Sequence, residues 1–247
     1  MTSPLRYPGG KSRAIRILRQ YLHDSHSCIL SPFFGGGSFE LSIGIDVLAN
    51  DLFSPLVCFW NVLKESKETL SEIVKTVPQP FSKELFHLYK DCIQDLSYSP
   101  LIRAAMFFSV NRSSFSGSTM SGGFSEEASA KRFTTSSIDR LNLDLSRFTF
   151  SNVDFSVFLE SNPRGVVYAD PPYLIDCKLY GERGDLQEIN HVLLRDLLIK
   201  REDPWILSYN DCTEVRELYR DCQIDSVSWK YSKGKAGKEL VITPWKD

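Results

Sequence analysis

Apolar residues recur at two different periods along this chain, and the alternation between them outlines an architecture. In residues 13–22, Ile15, Leu18 and Leu22 share the spacing of one helix face, and Ser12 stands where an N-cap belongs. Residues 28–34 form a short apolar run ending in Gly35-Gly36-Gly37, which predicts a buried strand and its turn. Residues 47–49 predict a second strand, closed by Asn50-Asp51. Residues 56–77 mix apolar and charged positions at helical spacing until Pro78 stops them, and residues 81–96 and 101–110 predict two more helices. Residues 111–137 break the pattern. They are rich in Ser, Gly and Thr and poor in aliphatics, which predicts an irregular insert of loops with at most a hairpin.

Periodic order then returns. Residues 148–150 and 166–169 are strand-like, and 186–199 are helical by spacing. Residues 205–208 predict a strand, 214–219 a short helix, and 224–229 and 239–243 two closing strands. There is no internal repeat or low-complexity tract. Strands alternating with helices imply an α/β fold with a largely parallel sheet. Ligands bind such sheets at the carboxyl ends of the strands. Residues 33–38, Asn50-Asp51 and residues 170–173 all fall at such ends.

Length and composition narrow the class. A chain of 247 residues fits one large domain, or one α/β domain carrying a small insert. With 42% apolar and 24% charged residues it can build a sizeable core. No apolar run is long enough to span a bilayer, and polar, Gly/Pro-rich residues 1–11 do not read as a signal peptide. Six cysteines without a CxxC pair or zinc spacing, Cys177 among them, predict reduced thiols and a cytoplasmic protein. His23, His26, His87 and His191 form no ligand pattern, so no metal is expected. A net charge of −2 excludes a nonspecific nucleic-acid coat but not a DNA enzyme, whose contacts depend on local charge. Basic residues do cluster, early around Arg6 and Lys11, centrally around Arg112 and Arg132, and late around Lys233 and Lys235.

The most informative motif is Asp170-Pro171-Pro172-Tyr173, directly after the strand-like residues 166–169. It suits methyl transfer to an amino group on an aromatic ring. The lone pair of that nitrogen is delocalised into the ring, so the nitrogen is a poor nucleophile. Acceptors on its two N–H bonds draw it toward tetrahedral geometry. Asp170 supplies a carboxylate and Pro171 a carbonyl, and the Pro171-Pro172 pair fixes φ so that both are held beforehand. Tyr173 offers a flat face for a base taken out of the stack.

Two further motifs point to a nucleoside-like ligand. In Pro32-Phe33-Phe34-Gly35-Gly36-Gly37-Ser38 the glycines permit close backbone approach. The spacing is not GxGxxG and no phosphate-loop Lys-Ser/Thr follows, which disfavours a dinucleotide or a triphosphate. Asp51, at the end of the next strand, is placed to hold ribose hydroxyls. In Tyr7-Pro8-Gly9-Gly10-Lys11, Lys11 is a candidate partner for a carboxylate. Asn111-Arg112-Ser113-Ser114-Phe115-Ser116-Gly117 offers side chains that reach phosphates and base edges, with an aromatic wedge.

Taken together and in this order, these motifs resemble the Dam-type (D12 class, alpha group) adenine-N6 DNA methyltransferase family. Ser208-Tyr209-Asn210 and Gly237-Lys238-Glu239-Leu240 extend the resemblance into the tail, so it spans nearly the whole chain. The family usually carries Asp or Glu before the Pro-Phe of the glycine loop, where this chain has Ser31. The resemblance implies a Rossmann-like, mostly parallel sheet with one reversed strand and a small inserted target-recognition region. The implied division is residues 1–55 (cofactor loop), 56–147 (helical and loop insert, target recognition) and 148–247 (the Asp170 loop).

It further implies S-adenosylmethionine as methyl donor, double-stranded DNA as partner and no metal. Tyr7 and Lys11 would touch the donor's methionine end, and Phe33, Gly35, Gly37 and Ser38 would line that pocket. Asp51 would hold the ribose. Asp154 would approach the donor's adenine, with Phe155 and Asp170 completing that set. Asn111, Arg112, Ser114, Phe115, Gly117 and Arg132 would face DNA. Asp170, Pro171, Pro172 and Tyr173 would be catalytic. N4 of cytosine, adenine in RNA and a DNA-binding relative without catalysis stay open as alternatives. So do a cognate restriction endonuclease, a monomer or a weak dimer, and the recognised sequence.

Overall fold

The computed structural model describes residues 1–22, 26–173, 189–230 and 236–244. His23, Cys177, Lys233, Lys235 and the first residues of the helix expected over 186–199 lie outside the described residues. Seven strands form one sheet: β1 (Cys28–Ser31), β2 (Asp46–Asn50), β3 (Phe148–Ser151), β4 (Val166–Ala169), β5 (Trp205–Asn210), β6 (Gln223–Lys230) and β7 (Ala236–Thr243). Their spatial order is β3-β2-β1-β4-β5-β7-β6. β1 to β5 pair in parallel, whereas β7 runs antiparallel to both β5 and β6, so it is the reversed strand.

The helices are α1 (Ile15–Leu18), α2 (Glu40–Ile43), α3 (Ser54–Thr76), α4 (Lys83–Cys92), α5 (Pro100–Ser113), α6 (Glu126–Arg132), α7 (Thr135–Asp139), α8 (Phe155–Ser161), α9 (His191–Ile199) and α10 (Thr213–Leu218). Strand residues of alternate parity supply two faces. Val167, Ala169 and Leu207 pack with Phe155 and Phe158 of α8, Leu194 and Leu198 of α9, and Val215 of α10. Val166, Tyr168 and Ile206 pack with Leu18 of α1 and Phe39. Every residue of β4 is buried, as a strand covered on both faces requires.

Between β2 and β3 the chain builds α3 to α7. Leu56, Phe59, Trp60, Leu63, Leu70 and Val74 are the buried stripe of α3, and Pro55 sits at its first turn, where no N–H is needed. That stripe joins Ala104, Phe107 and Phe108 of α5 in one core with Val47, Ala49 and Phe148 of the sheet. The helical segment is thus folded onto the sheet and shares its core.

Several boundaries differ from the sequence expectation. The first helix is shorter, continues as a 3-10 turn over Arg19–Tyr21, and has Ala14 rather than Ser12 at its cap. The helix expected over 81–96 is trimmed to Lys83–Cys92, with Ser82 accepting from Leu85 N at 3.2 Å. α5 runs on through Asn111, Arg112 and Ser113: all three side chains are buried, and those of Asn111 and Arg112 are hydrogen-bonded rather than solvated. The expected loops of 111–137 contain two helices. Their Ser and Thr residues are caps: Ser125 accepts from Ala128 N, and Thr134 and Ser137 form a capping box. α2 and α8 were not expected, being too short for a periodicity to show. The five described cysteines are free thiols.

Candidate active site

β1 has β2 on one side and β4 on the other, so the chain leaves the carboxyl ends of β1 and β4 in opposite directions and opens a crevice there. The loops after β1, β2, β3 and β4 all line one cavity at this point, together with the N-terminal segment and Ile189, Asn190 and Leu193 at the start of α9. Asn50, the last residue of β2, ties the strand ends together. Its amide donates to Pro32 O at 3.2 Å and Val153 O at 2.9 Å, and its Oδ1 accepts from Val153 N at 3.1 Å.

The glycine loop is shaped by its neighbours. Gly35 and Gly37 have φ of 52° and 61°, a left-handed conformation that disfavours side chains. A Cβ at Gly35 would lie 2.8 Å from the Tyr7 ring, and one at Gly37 2.3 Å from Phe34 Cζ. The glycines therefore admit Tyr7 and Phe34 as well as lining the cavity. Asp51 fastens the loop from below: its carboxylate accepts from Gly35 N at 2.8 Å and Phe53 N at 3.0 Å. Burial pushes its carboxyl above the ordinary range.

Residues 3–5 are buried, and Asn111 clamps the N-terminal segment by accepting from Arg6 N at 2.9 Å and donating to Arg6 O at 2.7 Å. The segment delivers Lys11 to the end of β4. Lys11 is 3% exposed, and its ammonium contacts Asp170 Oδ1 at 2.7 Å, Asp170 Oδ2 at 2.8 Å, Tyr173 Oη at 3.0 Å and Gly9 O at 3.1 Å. Glu239 of β7 stands 3.5 Å away. Asp170 is held from its other side by Ser208 Oγ of β5 at 2.9 Å, itself 3.4 Å from Tyr168 Oη. The Tyr173 ring lies 6.2 Å from that of buried Tyr209, whose hydroxyl is hydrogen-bonded to His191.

Glu40, on the first turn of α2, is buried beside the glycine loop and hydrogen-bonds Ser31 Oγ at 2.6 Å. Burial, only partly offset by that bond, pushes its carboxyl up to about 7. Among the described residues lining the cavity, Glu40, Asp51, Asp154 and Asp170 are acidic and Lys11 is basic. That excess of acid suits a ligand carrying positive charge. Asp154 also caps α8, accepting from Ser156 N at 2.8 Å.

Tyr7, Lys11, Phe33, Gly35, Gly37, Ser38, Asp51, Asp154, Phe155 and residues 170–173 all line this cavity. The residues expected to face DNA divide. Asn111, Arg112, Ser114 and Gly117 are buried. Asn111 also donates to Gly117 O and Thr119 Oγ1, Arg112 donates to Arg132 O and Pro4 O, and a Cβ at Gly117 would strike Arg6 at 2.5 Å. Their polar groups bond within the loop and to the N-terminal segment. Phe115 (58% exposed) and Arg132 do reach the surface. Burial above all, and then the nearby charges of Arg6, Arg140 and Arg132, lower the Arg112 guanidinium to about 10.

Glu40, Ser208, Tyr209 and Glu239 carry contacts that motif reading did not assign. Ser208, Tyr209 and Glu239 had a visible signal, their place in the two tail motifs, and Glu40 had none. Among the described residues no group of His, Cys, Asp or Glu is arranged to hold a metal ion, and no helix is long and apolar enough to cross a membrane.

Comparison with known proteins agrees with this geometry. The model of the D12 class N6 adenine-specific DNA methyltransferase family matches residues 7–233. A DNA adenine methylase of Vibrio cholerae serotype O1 is 25% identical over 260 residues, covering 96% of this chain and 92% of that protein. The DNA N-6-adenine-methyltransferase of Escherichia phage P1 is 26% identical over 180 residues, covering 69% of this chain and 24% of that longer protein.

Proposed function

Since this chain belongs to the D12 class N6 adenine-specific DNA methyltransferase family, we propose that it moves a methyl group from S-adenosylmethionine to N6 of an adenine flipped out of duplex DNA. The observation that carries this reading is the seating of Asp170 at the crevice between β1 and β4, in the same cavity as the glycine loop.

The donor fits by charge. Among the described residues lining the cavity acidic side chains outnumber basic ones, which favours a cation, and a sulfonium is one. When bound, the donor supplies an electrophilic methyl group. Tyr7 and Lys11 hold its methionine end, beside Phe33, Gly35, Gly37 and Ser38. Asp51 holds its ribose, and Asp154 and Phe155 its adenine.

The base is managed by the loop after β4. Tyr173 supplies a stacking face, while the Asp170 carboxylate and the Pro171 carbonyl accept from the two N–H bonds of the target amine. Lys11 and Ser208 fix the Asp170 carboxylate beforehand, so little reorganisation is needed at the moment of transfer. Pro172 keeps the loop rigid. The amine proton leaves after the nitrogen has become tetrahedral and positively charged, so no strong base is required.

Residues 56–147 would recognise the target between the two parts of the catalytic domain, 1–55 and 148–247. Phe115 wedges at the opened step and Arg132 meets phosphate. The protein would act beside the DNA of the cytoplasm. Nucleoside analysis of DNA incubated with labelled donor tests the reading: the label belongs in N6-methyladenine, and its appearance in N4-methylcytosine would change the acceptor.

A further inference from the structure

We infer that Glu40 takes the positively charged amino group of the donor's methionine end, with Ser31 holding its carboxylate in place. This rests on the reading of the cavity as a S-adenosylmethionine site and adds a residue to it. An amino-acid terminus carries an ammonium and a carboxylate on one carbon. A pocket that binds it needs a cation and an anion side by side. Among the described residues lining the cavity, Lys11 is the cation, and Glu40 and Asp170 are the carboxyl groups whose charges it feels or touches; Glu239, 3.5 Å from the same ammonium, stands outside that lining. Asp170 is already bonded by Lys11 and Ser208 and belongs to the loop that meets the base. Glu40 is left for the ammonium.

Its surroundings support that role. Glu40 lies one turn beyond the glycine loop, lines the cavity and is 3% exposed. The groups whose charge or dipole reaches it are Ser31 on β1, Lys11 of the N-terminal segment, and Asp170 and Tyr168 at the end of β4. A carboxyl at such depth costs free energy when ionised unless a cation arrives. Glu40 retains part of its proton near neutral pH, as its raised value of about 7 reflects. Arrival of an ammonium displaces that proton to the buffer. Ser31 cannot supply charge itself, but its hydroxyl donates to Glu40 from the end of β1.

The test is calorimetric titration of the full chain with two ligands. S-adenosylhomocysteine has the amino-acid end, and 5′-methylthioadenosine lacks it. Glu40→Gln should weaken S-adenosylhomocysteine binding about thirtyfold or more and leave 5′-methylthioadenosine binding unchanged. The unaltered protein near pH 7, titrated in buffers of different ionisation heat, should release protons with S-adenosylhomocysteine and none with 5′-methylthioadenosine. Unchanged affinity in Glu40→Gln, or equal losses for both ligands, overturns the assignment. Should that variant not fold, the proton count of the unaltered protein decides, and zero release overturns it. Failure of the unaltered protein to bind either ligand contradicts the donor site itself, an outcome distinct from a failure of Glu40 alone.

Discussion

The ammonium of Lys11 lies 2.7 Å and 2.8 Å from the two carboxylate oxygens of Asp170, joining residues 159 positions apart. The contact fastens the N-terminal segment to the end of β4, and Glu239 shares the same cation at 3.5 Å. Lys11→Met should therefore leave the buried carboxyl of Glu239 and the half-buried one of Asp170 without their cation. Breaking such a pair from one side costs about 3 kcal/mol. Urea denaturation measures that loss, and donor affinity should fall with it. A variant as stable as the parent would remove Lys11 from its position as the hub.

The glycine loop makes a prediction with an internal control. Gly37 has φ of 61° and a Cβ there would meet Phe34 Cζ at 2.3 Å, whereas Gly44 has φ of 78° with nothing within 4 Å. Gly44→Ala should cost only left-handed strain, about 1 kcal/mol. Gly37→Ala adds a clash in a packed aromatic cluster and should cost about 3 kcal/mol. Thermal melting of the two variants gives the comparison, and equal shifts would contradict the packing account.

Burial separates structural from DNA-facing residues within one motif. Asn111→Ala removes the buried clamp on Arg6 and should lower stability by about 2 kcal/mol. Phe115→Ala and Arg132→Ala alter exposed side chains, so melting should not move while DNA affinity falls. For Arg132→Ala the slope of log affinity against log salt should shrink by about one. DNA binding that survives both exposed substitutions would place the interface elsewhere.

Glu40 gives stability a pH dependence of defined sign. Its carboxyl is raised from 4.5 to about 7 in the folded chain. Below 4.5 it is neutral in both states. As pH rises from there through 7, the unfolded chain ionises first and stability falls, with the loss complete above 7. The full effect is about 3 kcal/mol at 1.36 kcal/mol per unit. Asp51, also raised by burial, adds in the same direction. Glu40→Gln should flatten the difference between urea midpoints at pH 5 and pH 8. An identical difference in parent and variant would contradict the burial of an ionisable Glu40.

The sheet was legible because its strands are short apolar runs with turn residues at their ends, and the cavity because its motifs fall at those ends. Asp51 and Asp170 were visible for the same reason, and Asp154 through the family resemblance alone. What stayed hidden depends on burial, which local pattern does not report. Asn111 and Arg112 read as surface polar residues, yet α5 carries them inside, where backbone carbonyls and Thr119 satisfy them. Ser125, Thr134 and Ser137 read as loop and are helix-capping residues. Glu40 reads as one charge on a short helix. Only the hydrogen bond to Ser31 and the nearness of Lys11 give it meaning.

The central claim is methyl transfer to adenine N6 directed by Asp170. Purified protein, S-adenosylmethionine and unmethylated genomic DNA, followed by single-molecule sequencing for modified bases, test it directly. The account predicts N6-methyladenine confined to one short motif, and a rate at least about a hundredfold lower in Asp170→Ala with donor binding retained. No modification above that variant, or an equal rate in it, would contradict the account.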